Sequence, residues 1–254
     1  MSSFVLKNIL LPFFGTALGS ACVFFMKKEM NEKLEKSLLG FASGVMIAAS
    51  IWSLILPAIE RSNHLGSFSF VPAITGLWLG VIAMLIIDKT IPEPHMEDMS
   101  ENGPHKKSML FMAVTIHNFP EGMAVGAAIS AVISGASHLS MASVFVLSVG
   151  IAIQNIPEGS IISMPLASKG KTKAFLYGSL SGVAEPLGAI ITIIFASSIT
   201  PTLPYMLSFA AGAMLYVSVS ELIPQMTDNK KSYIGTLMFS LGFSIMMCLD
   251  VALG

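Results

Sequence analysis

Long apolar runs alternate with short polar stretches along the whole chain. Each run is about 20 residues or more, which is enough for a helix rising 1.5 Å per residue to cross about 30 Å of hydrocarbon. A membrane β-barrel would instead show about ten-residue segments of alternating hydrophobicity. The pattern therefore predicts eight transmembrane helices, over residues 5–26, 38–59, 70–88, 108–133, 139–166, 173–199, 203–225 and 232–252.

The composition agrees with this pattern, because 54% of the 254 residues are hydrophobic and 11% are charged. Soluble domains carry about 25% charged residues. The formal net charge of −1 offers no basic surface to a nucleic acid. Cys22 and Cys248 both lie in apolar runs, so neither a disulfide framework nor a thiolate metal cluster is expected. We expect one all-α integral membrane domain over residues 1–254, embedded in a lipid bilayer.

The lysine distribution predicts the orientation of the bundle. An even number of spans places both termini on one side of the membrane. Of the 14 Lys and Arg residues, only Lys7 and Arg61 fall on that side, and the others fall in the loops of the opposite side. Positive loops face the cytoplasm, so both termini are expected outside. The longest loop, about residues 89–107, is predicted to be a solvated cytoplasmic connector, whose two histidines leave loose metal binding open.

Two sequence motifs occur twice. The segment Phe-Ala-Ser-Gly-Val-Met at 41–46 recurs as Phe-Ala-Ala-Gly-Ala-Met at 209–214, and His-Asn-Phe-Pro-Glu-Gly at 117–122 matches Gln-Asn-Ile-Pro-Glu-Gly at 154–159. The predicted spans of each pair run in opposite directions. Inverted repeats of this kind are common in secondary transporters. Spans 1–3 and 6–8 are therefore predicted to be related by a pseudo-two-fold axis, with spans 4 and 5 as the central pair.

Three glutamates lie well inside predicted spans, and each has a proline beside it: Glu121, Glu158 and Glu185. A charged side chain at the middle of a bilayer costs about 3 kcal/mol or more, so a buried acid indicates function. Helical spacing of three or four residues places further polar side chains on the same faces as the first two glutamates. These side chains are His117, Asn118, Gln154 and Asn155.

Carboxylates that face one another repel unless a cation lies between them. Two divalent ions would carry four positive charges against three carboxylates, with Glu121 and Glu158 bridging the ions at about 3.5–4 Å. A nitrogen and oxygen ligand set with one imidazole suits Zn²⁺, Fe²⁺ and Mn²⁺. A proton relay is the alternative for a single buried glutamate, whereas three together favour a labile metal site.

These motifs in spans 4 and 5, with Glu-Pro in span 6, resemble those of the ZIP (Zrt-, Irt-like protein) metal transporters, and the short length resembles their prokaryotic GufA-like branch. The resemblance implies a 3+2+3 bundle, often dimeric, that moves divalent metals toward the cytoplasm by an elevator-like slide of helices 1, 4, 5 and 6 against 2, 3, 7 and 8. It also implies a binuclear site, with Met46 as a thioether ligand, although composition alone favours packing for Met46. The other implied ligands are His117, Asn118, Glu121, Gln154, Asn155, Glu158 and Glu185.

The chain departs from many relatives at two of these positions. Gln154 stands where many eukaryotic relatives carry histidine, and Asn155 stands where some carry aspartate. The implied site is therefore richer in oxygen and less charged than theirs. Strict zinc selectivity is not expected, and Cd²⁺, Mn²⁺ and Fe²⁺ stay open beside Zn²⁺.

Four further polar residues are candidates for an auxiliary metal site or a transport pathway: Glu221, Asp250, Asp88 and Ser53. The alternative for the three acids is a solvated position at the membrane interface. For Ser53 the alternative is a role as a small packing residue. The sequence alone does not separate these interpretations.

The sequence predicts a secondary transporter of divalent metal in the cell (inner) membrane, a homodimer without a resident cofactor. A metal-selective channel built from the same residues is the alternative. An intramembrane metalloenzyme is disfavoured because no His-Glu-x-x-His motif is present, and ATP drive is disfavoured because no phosphate loop is present.

Overall fold

A computed structural model describes residues 2–25, 31–90, 104–135, 139–198, 200–227 and 233–253. Over these ranges the regular structure is entirely helical. We label eight helical segments in chain order: α1 (Ser2–Phe25), α2 (Glu32–Arg61), α3 (Phe70–Thr90), α4 (Pro104–Ile133), α5 (Met141–Ser163), α6 (Lys171–Ser181 and Ala184–Ser198), α7 (Leu203–Thr227) and α8 (Tyr233–Leu253). Short 3₁₀ turns lie at Asn63–Phe68, Met164–Lys169 and Thr200–Thr202.

Seven of these segments, all except α4, are long and apolar enough to cross a membrane, counting only residues that the structure describes. The exception, α4, is a 30-residue helix that carries the polar motif of the fourth predicted span. The prediction of an all-helical integral membrane protein is confirmed. Most of the predicted connector at 89–107, including His95, lies outside the described residues, which stop at Thr90 and resume at Pro104.

The segments pack in four close pairs. Helix α1 lies along α5, α4 lies along α6, α2 lies along α8 and α3 lies along α7. Glycine makes these contacts close, because a Cβ atom at Gly19 of α1 would lie 2.0 Å from the carbonyl oxygen of Ile156. A Cβ at Gly80 of α3 would similarly lie 2.1 Å from the carbonyl oxygen of Phe209. Small residues at such positions let membrane helices pack backbone to backbone.

Matching distortions interrupt α2 and α7. A π-helical stretch occupies Ser50–Ile55 just before Pro57, and another occupies Ser218–Leu222 just before Pro224. In both, the residue before the proline donates its N–H to a carbonyl five residues earlier. Such π stretches are rare and are frequent at functional sites. Both distortions follow the repeated Phe-Ala-x-Gly-x-Met segment, so the repeat extends to backbone geometry.

The sixth predicted span is not one continuous helix. Its first half ends at Ser181 and its second half begins at Ala184. Pro186 causes the break, because it has no N–H to donate to the carbonyl of Gly182 four residues earlier. The N–H of Glu185 donates to that carbonyl instead, at 3.2 Å. Glu185 therefore lies in the first turn of the second half of α6.

We predict that Gly80→Ala lowers the thermal unfolding temperature by about 5–10 °C, because overpacking against backbone cannot be relieved by a rotamer change. The measurement is a melting curve of detergent-purified protein. Gly150→Ala is the matched control, since its Cβ would meet only the side-chain end of the flexible Met246 at 2.6 Å. Equal melting temperatures for the two variants would contradict the close approach of α3 and α7.

Candidate metal site

A cluster of polar side chains from α4, α5 and α6 is buried in the bundle. Asn118 and Glu121 come from α4, Gln154 and Asn155 from α5, and Glu185 from α6, and none of the five is more than 1% exposed. Glu158, one turn beyond Gln154, is only partly buried. The structure thus brings the predicted residues of spans 4, 5 and 6 to one polar region, which spacing within single helices does not predict.

Amide and hydroxyl groups hold two of the glutamates. Gln154 donates from Nε2 to Oε1 of Glu121 at 2.9 Å. Asn155 donates from Nδ2 to Oε1 of Glu185 at 2.9 Å, and Thr16 on α1 donates from Oγ1 to the same oxygen at 2.5 Å. Each of these two carboxylates therefore has one oxygen engaged by protein donors.

Most of the other oxygens of the cluster have no hydrogen-bond partner in the described part of the chain. A buried polar atom without a partner is costly, and such atoms are rare in folded proteins. Among the residues described here, the unpartnered buried atoms of the cluster are Oε2 of Glu121, Oε2 of Glu158, Oε2 of Glu185, Oε1 of Gln154, Oδ1 of Asn155, and Oδ1 and Nδ2 of Asn118. Six of these seven atoms are oxygens, which is the donor set that a divalent cation satisfies.

His117 links this cluster to α7. Its Nε2 atom lies 2.9 Å from Oε1 of Glu221, and the two side chains are 14% and 15% exposed. Glu158 is close enough to both residues to interact with them electrostatically. Glu221, predicted as a member of an auxiliary site, is therefore in direct contact with a predicted ligand of the main site.

Met46 lies on α2 and is buried, with 1% exposed. The Ser218 hydroxyl oxygen lies 2.8 Å from the Sδ atom of Met46 and 2.9 Å from the carbonyl oxygen of Met214, so its one proton is shared between these two acceptors. The sulfur is thus in a polar contact rather than in purely apolar packing.

The other candidate residues form separate contacts. Ser53 donates to both carboxylate oxygens of Asp250, at 2.8 and 2.9 Å, and both residues are buried. Asp250 is therefore not solvated, contrary to the alternative interpretation. Asp88 is exposed and accepts a hydrogen bond from the Tyr216 hydroxyl at 2.5 Å.

Sequence reasoning missed two side chains that contact predicted ligands. Ser218 belongs to a polar stripe in span 7 that ends at Glu221, so a helical projection of that span could have found it. Thr16 has no comparable signal, because nothing in span 1 repeats or matches the motifs of spans 4 and 5.

Carboxylates and imidazole alone do not complete a metal cage. Within the described ranges, no three His, Cys, Asp or Glu side chains converge closely enough to hold a metal ion. The unpartnered amide oxygens of Asn118, Gln154 and Asn155 are the remaining candidates. A metal ion at this position would therefore need amide as well as carboxylate oxygens.

Helices of membrane-spanning length define an integral membrane protein, and the carboxylate oxygens without a partner among the described residues mark a candidate cation site in its interior. The family model described as ZIP Zinc transporter matches residues 93–250. The chain belongs to this family, so the resemblance drawn from the motifs is confirmed. The family and its relatives are named as zinc transporters, so the expectation of a non-enzyme is also confirmed.

Full-length relatives support the assignment. The chain is 35% identical to Zinc transporter ZIP11 of Xenopus tropicalis, over 98% of this chain and 97% of the relative. It is 33% identical to Zinc transporter ZIPB of Bordetella bronchiseptica, over 95% and 79%. It is 31% identical to Zinc transporter GufA of Myxococcus xanthus, over 94% and 96%.

We predict that the purified protein binds Zn²⁺ and that Glu121→Ala or Glu158→Ala weakens this binding at least about tenfold, since each change removes a ligand oxygen. Isothermal titration calorimetry in detergent measures the dissociation constant. Glu60→Ala, which removes an exposed glutamate at the end of α2, serves as the control. Unchanged zinc affinity in a well-folded Glu121→Ala variant would contradict the assignment of the cluster.

Proposed function

We propose that this protein is a secondary transporter that moves divalent metal ions, zinc foremost, toward the cytoplasm by alternating access around the buried cluster. One observation carries the proposal: carboxylate and amide oxygens from α4, α5 and α6 are buried inside a membrane bundle, and no donor from the described ranges reaches them. Such oxygens are suited to hold a cation that has shed part of its water. The zinc transporter names of the relatives support zinc as the substrate.

The proposal includes eight membrane spans in a 3+2+3 inverted repeat, with both termini outside. Two features support the repeat. In such a repeat α1 corresponds to α6, α2 to α7, α3 to α8 and α4 to α5. The pair α1–α5 then corresponds to α6–α4, and α2–α8 corresponds to α7–α3, and all four of these pairs are in close contact. The π-helical stretches of α2 and α7 stand at corresponding places. We include α4 as the eighth span, because it carries half of the motif pair between two spanning neighbours.

We further propose that α1, α4, α5 and α6 move as a carrier against α2, α3, α7 and α8. The hydrogen bonds of the cluster support this division, since those of Glu121 and Glu185 all come from α1 and α5. The contact between His117 and Glu221 joins the two groups of helices. A metal ion bound within the carrier could therefore travel without changing most of its partners.

The proposed site is binuclear, with Glu121 and Glu158 as bridging ligands. His117 and Met46 supply nitrogen and sulfur to one ion, and the amides with Glu185 supply oxygen to the other. This ligand set favours Zn²⁺ and also admits Cd²⁺, Fe²⁺ and Mn²⁺. We place the transporter in the cell (inner) membrane as a homodimer, and we assign Ser53, Asp250, Asp88 and Glu221 to the pathway or to an auxiliary site.

We predict saturable Zn²⁺ uptake into liposomes that contain the purified protein. Glu121→Ala should abolish this uptake, because it removes a carboxylate shared by both ions. The measurement is the initial rate of zinc entry, followed with a trapped fluorescent indicator over a range of zinc concentrations. Glu60→Ala should transport at the wild-type rate.

Three results would contradict parts of this proposal. Normal uptake by a well-expressed Glu121→Ala variant would overturn the shared site. A rate that stays linear in zinc concentration would indicate a channel rather than a carrier. Binding without uptake of Zn²⁺, Cd²⁺, Mn²⁺ or Fe²⁺ under any imposed ion gradient would overturn transport itself.

We predict that His117→Ala raises the KM for Zn²⁺ at least about tenfold and raises the KM for Mn²⁺ less, because imidazole favours zinc over the harder manganese ion. The same liposomes, tested with each metal separately, give both constants. His64→Ala is the control, since His64 is an exposed histidine in the turn that follows α2. Equal changes for both metals would contradict a ligand role for His117.

A further inference from the structure

Thr16 of α1 contacts the proposed metal site although it belongs to none of the motifs. Its side chain is fully buried, with 0% exposed. The hydroxyl donates to Oε1 of Glu185 at 2.5 Å, across 169 residues of sequence. A buried hydroxyl that donates to a carboxylate forms a charge-assisted hydrogen bond, which is stronger than a neutral one.

The position of this hydroxyl is fixed by the backbone around it. The carbonyl oxygen of Thr16 accepts a hydrogen bond from Ser20 at 2.9 Å. A Cβ atom at Gly182 of α6 would lie 2.9 Å from Cβ of Thr16, and a Cβ at Gly159 of α5 would lie 2.1 Å from its carbonyl oxygen. Thr16 therefore sits where α1 meets α5 and α6 closely, and glycines on both neighbours make room for it.

Thr16 and Asn155 both donate to the same oxygen of Glu185. Two donors on Oε1 restrict rotation of the carboxylate about its last torsion. They leave Oε2 of Glu185 without a partner among the described residues. The carboxylate is thus held by one oxygen while the other stays available.

We propose that Thr16 is a positioning residue for metal transport: its hydroxyl holds Oε1 of Glu185 so that Oε2 can bind the metal ion. The inference rests on the proposed function, since it requires Glu185 to be a ligand. Hydrogen-bond partners that orient metal ligands contribute about 10–100-fold to metal affinity. Thr16 acts through Glu185 and does not itself touch the ion.

The test separates the hydroxyl from the methyl group of Thr16. Thr16→Val keeps the shape and removes the hydroxyl, and we expect it to raise the zinc dissociation constant and the KM of uptake about 10–100-fold. Thr16→Ser keeps the hydroxyl and removes the methyl, and we expect both constants to stay near the wild-type values. A residue that only fills space beside Gly182 would show the opposite order, with Thr16→Ser impaired and Thr16→Val normal, and this result would overturn the inference.

Thr192→Val is the matched control, because Thr192 is a threonine of α6 that is 1% exposed and whose hydroxyl has no hydrogen-bond partner among the described residues. It should bind and transport zinc as the wild type does. If Thr16→Val does not fold, Thr16→Ala against Thr16→Ser isolates the hydroxyl, since both lack the methyl. Equal zinc affinities in that pair would overturn the role of Thr16.

The outcomes also distinguish this inference from the proposed function. A wild-type protein that neither binds nor transports zinc would overturn both. A wild-type protein that transports zinc, with Glu185→Ala inactive and Thr16→Val unchanged in affinity and KM, would overturn the positioning role alone.

Discussion

The need to keep carboxylates in a membrane interior governs the rest of this structure. A charge at the middle of a bilayer costs about 3 kcal/mol or more, and the polar cluster of this helical bundle contains three glutamates. Protein donors engage one oxygen of Glu121 and one of Glu185, which leaves the second oxygen of each unpartnered among the described residues. Close glycine contacts bring the backbones around these glutamates together, since a Cβ atom at Gly122 of α4 would lie 1.9 Å from the carbonyl oxygen of Glu185.

The hydrogen bonds of the polar residues fall within two groups of helices, α1, α4, α5 and α6 in one and α2, α7 and α8 in the other. The side chains that donate to Glu121 and Glu185 belong to α1 and α5. The contact of Met46 joins α2 to α7, and the hydrogen bond to Asp250 joins α2 to α8. The contact between His117 and Glu221 crosses from one group to the other. A relative movement of the two groups would therefore disturb few polar contacts. It would, however, separate His117 from Glu221.

The predictions from sequence succeeded where the relevant spacing lies within one helix. His117 and Glu121, or Gln154 and Glu158, share a face because helical geometry places residues four apart together. Contacts between side chains of different helices were harder to predict from the sequence. Thr16 meets Glu185 across 169 residues, and a threonine in an apolar span has no distinguishing pattern. Prolines accompany the departures from regular helix in α2, α6 and α7, whereas α4 and α5 continue through Pro120 and Pro157, so a proline in the sequence does not by itself locate a π stretch or a break.

The amides of α5 give the proposed metal site oxygen atoms that carry no charge. A carboxylate at position 155 would add a fourth negative charge to the three glutamates and would only accept hydrogen bonds. Asn155 instead donates to Glu185 through its nitrogen and keeps its oxygen unpartnered, and Gln154 does the same toward Glu121. Each amide thus adds no charge to the carboxylates and offers a neutral oxygen to the proposed site. Neutral oxygens bind zinc less tightly than imidazole or carboxylate does, which favours release of the ion.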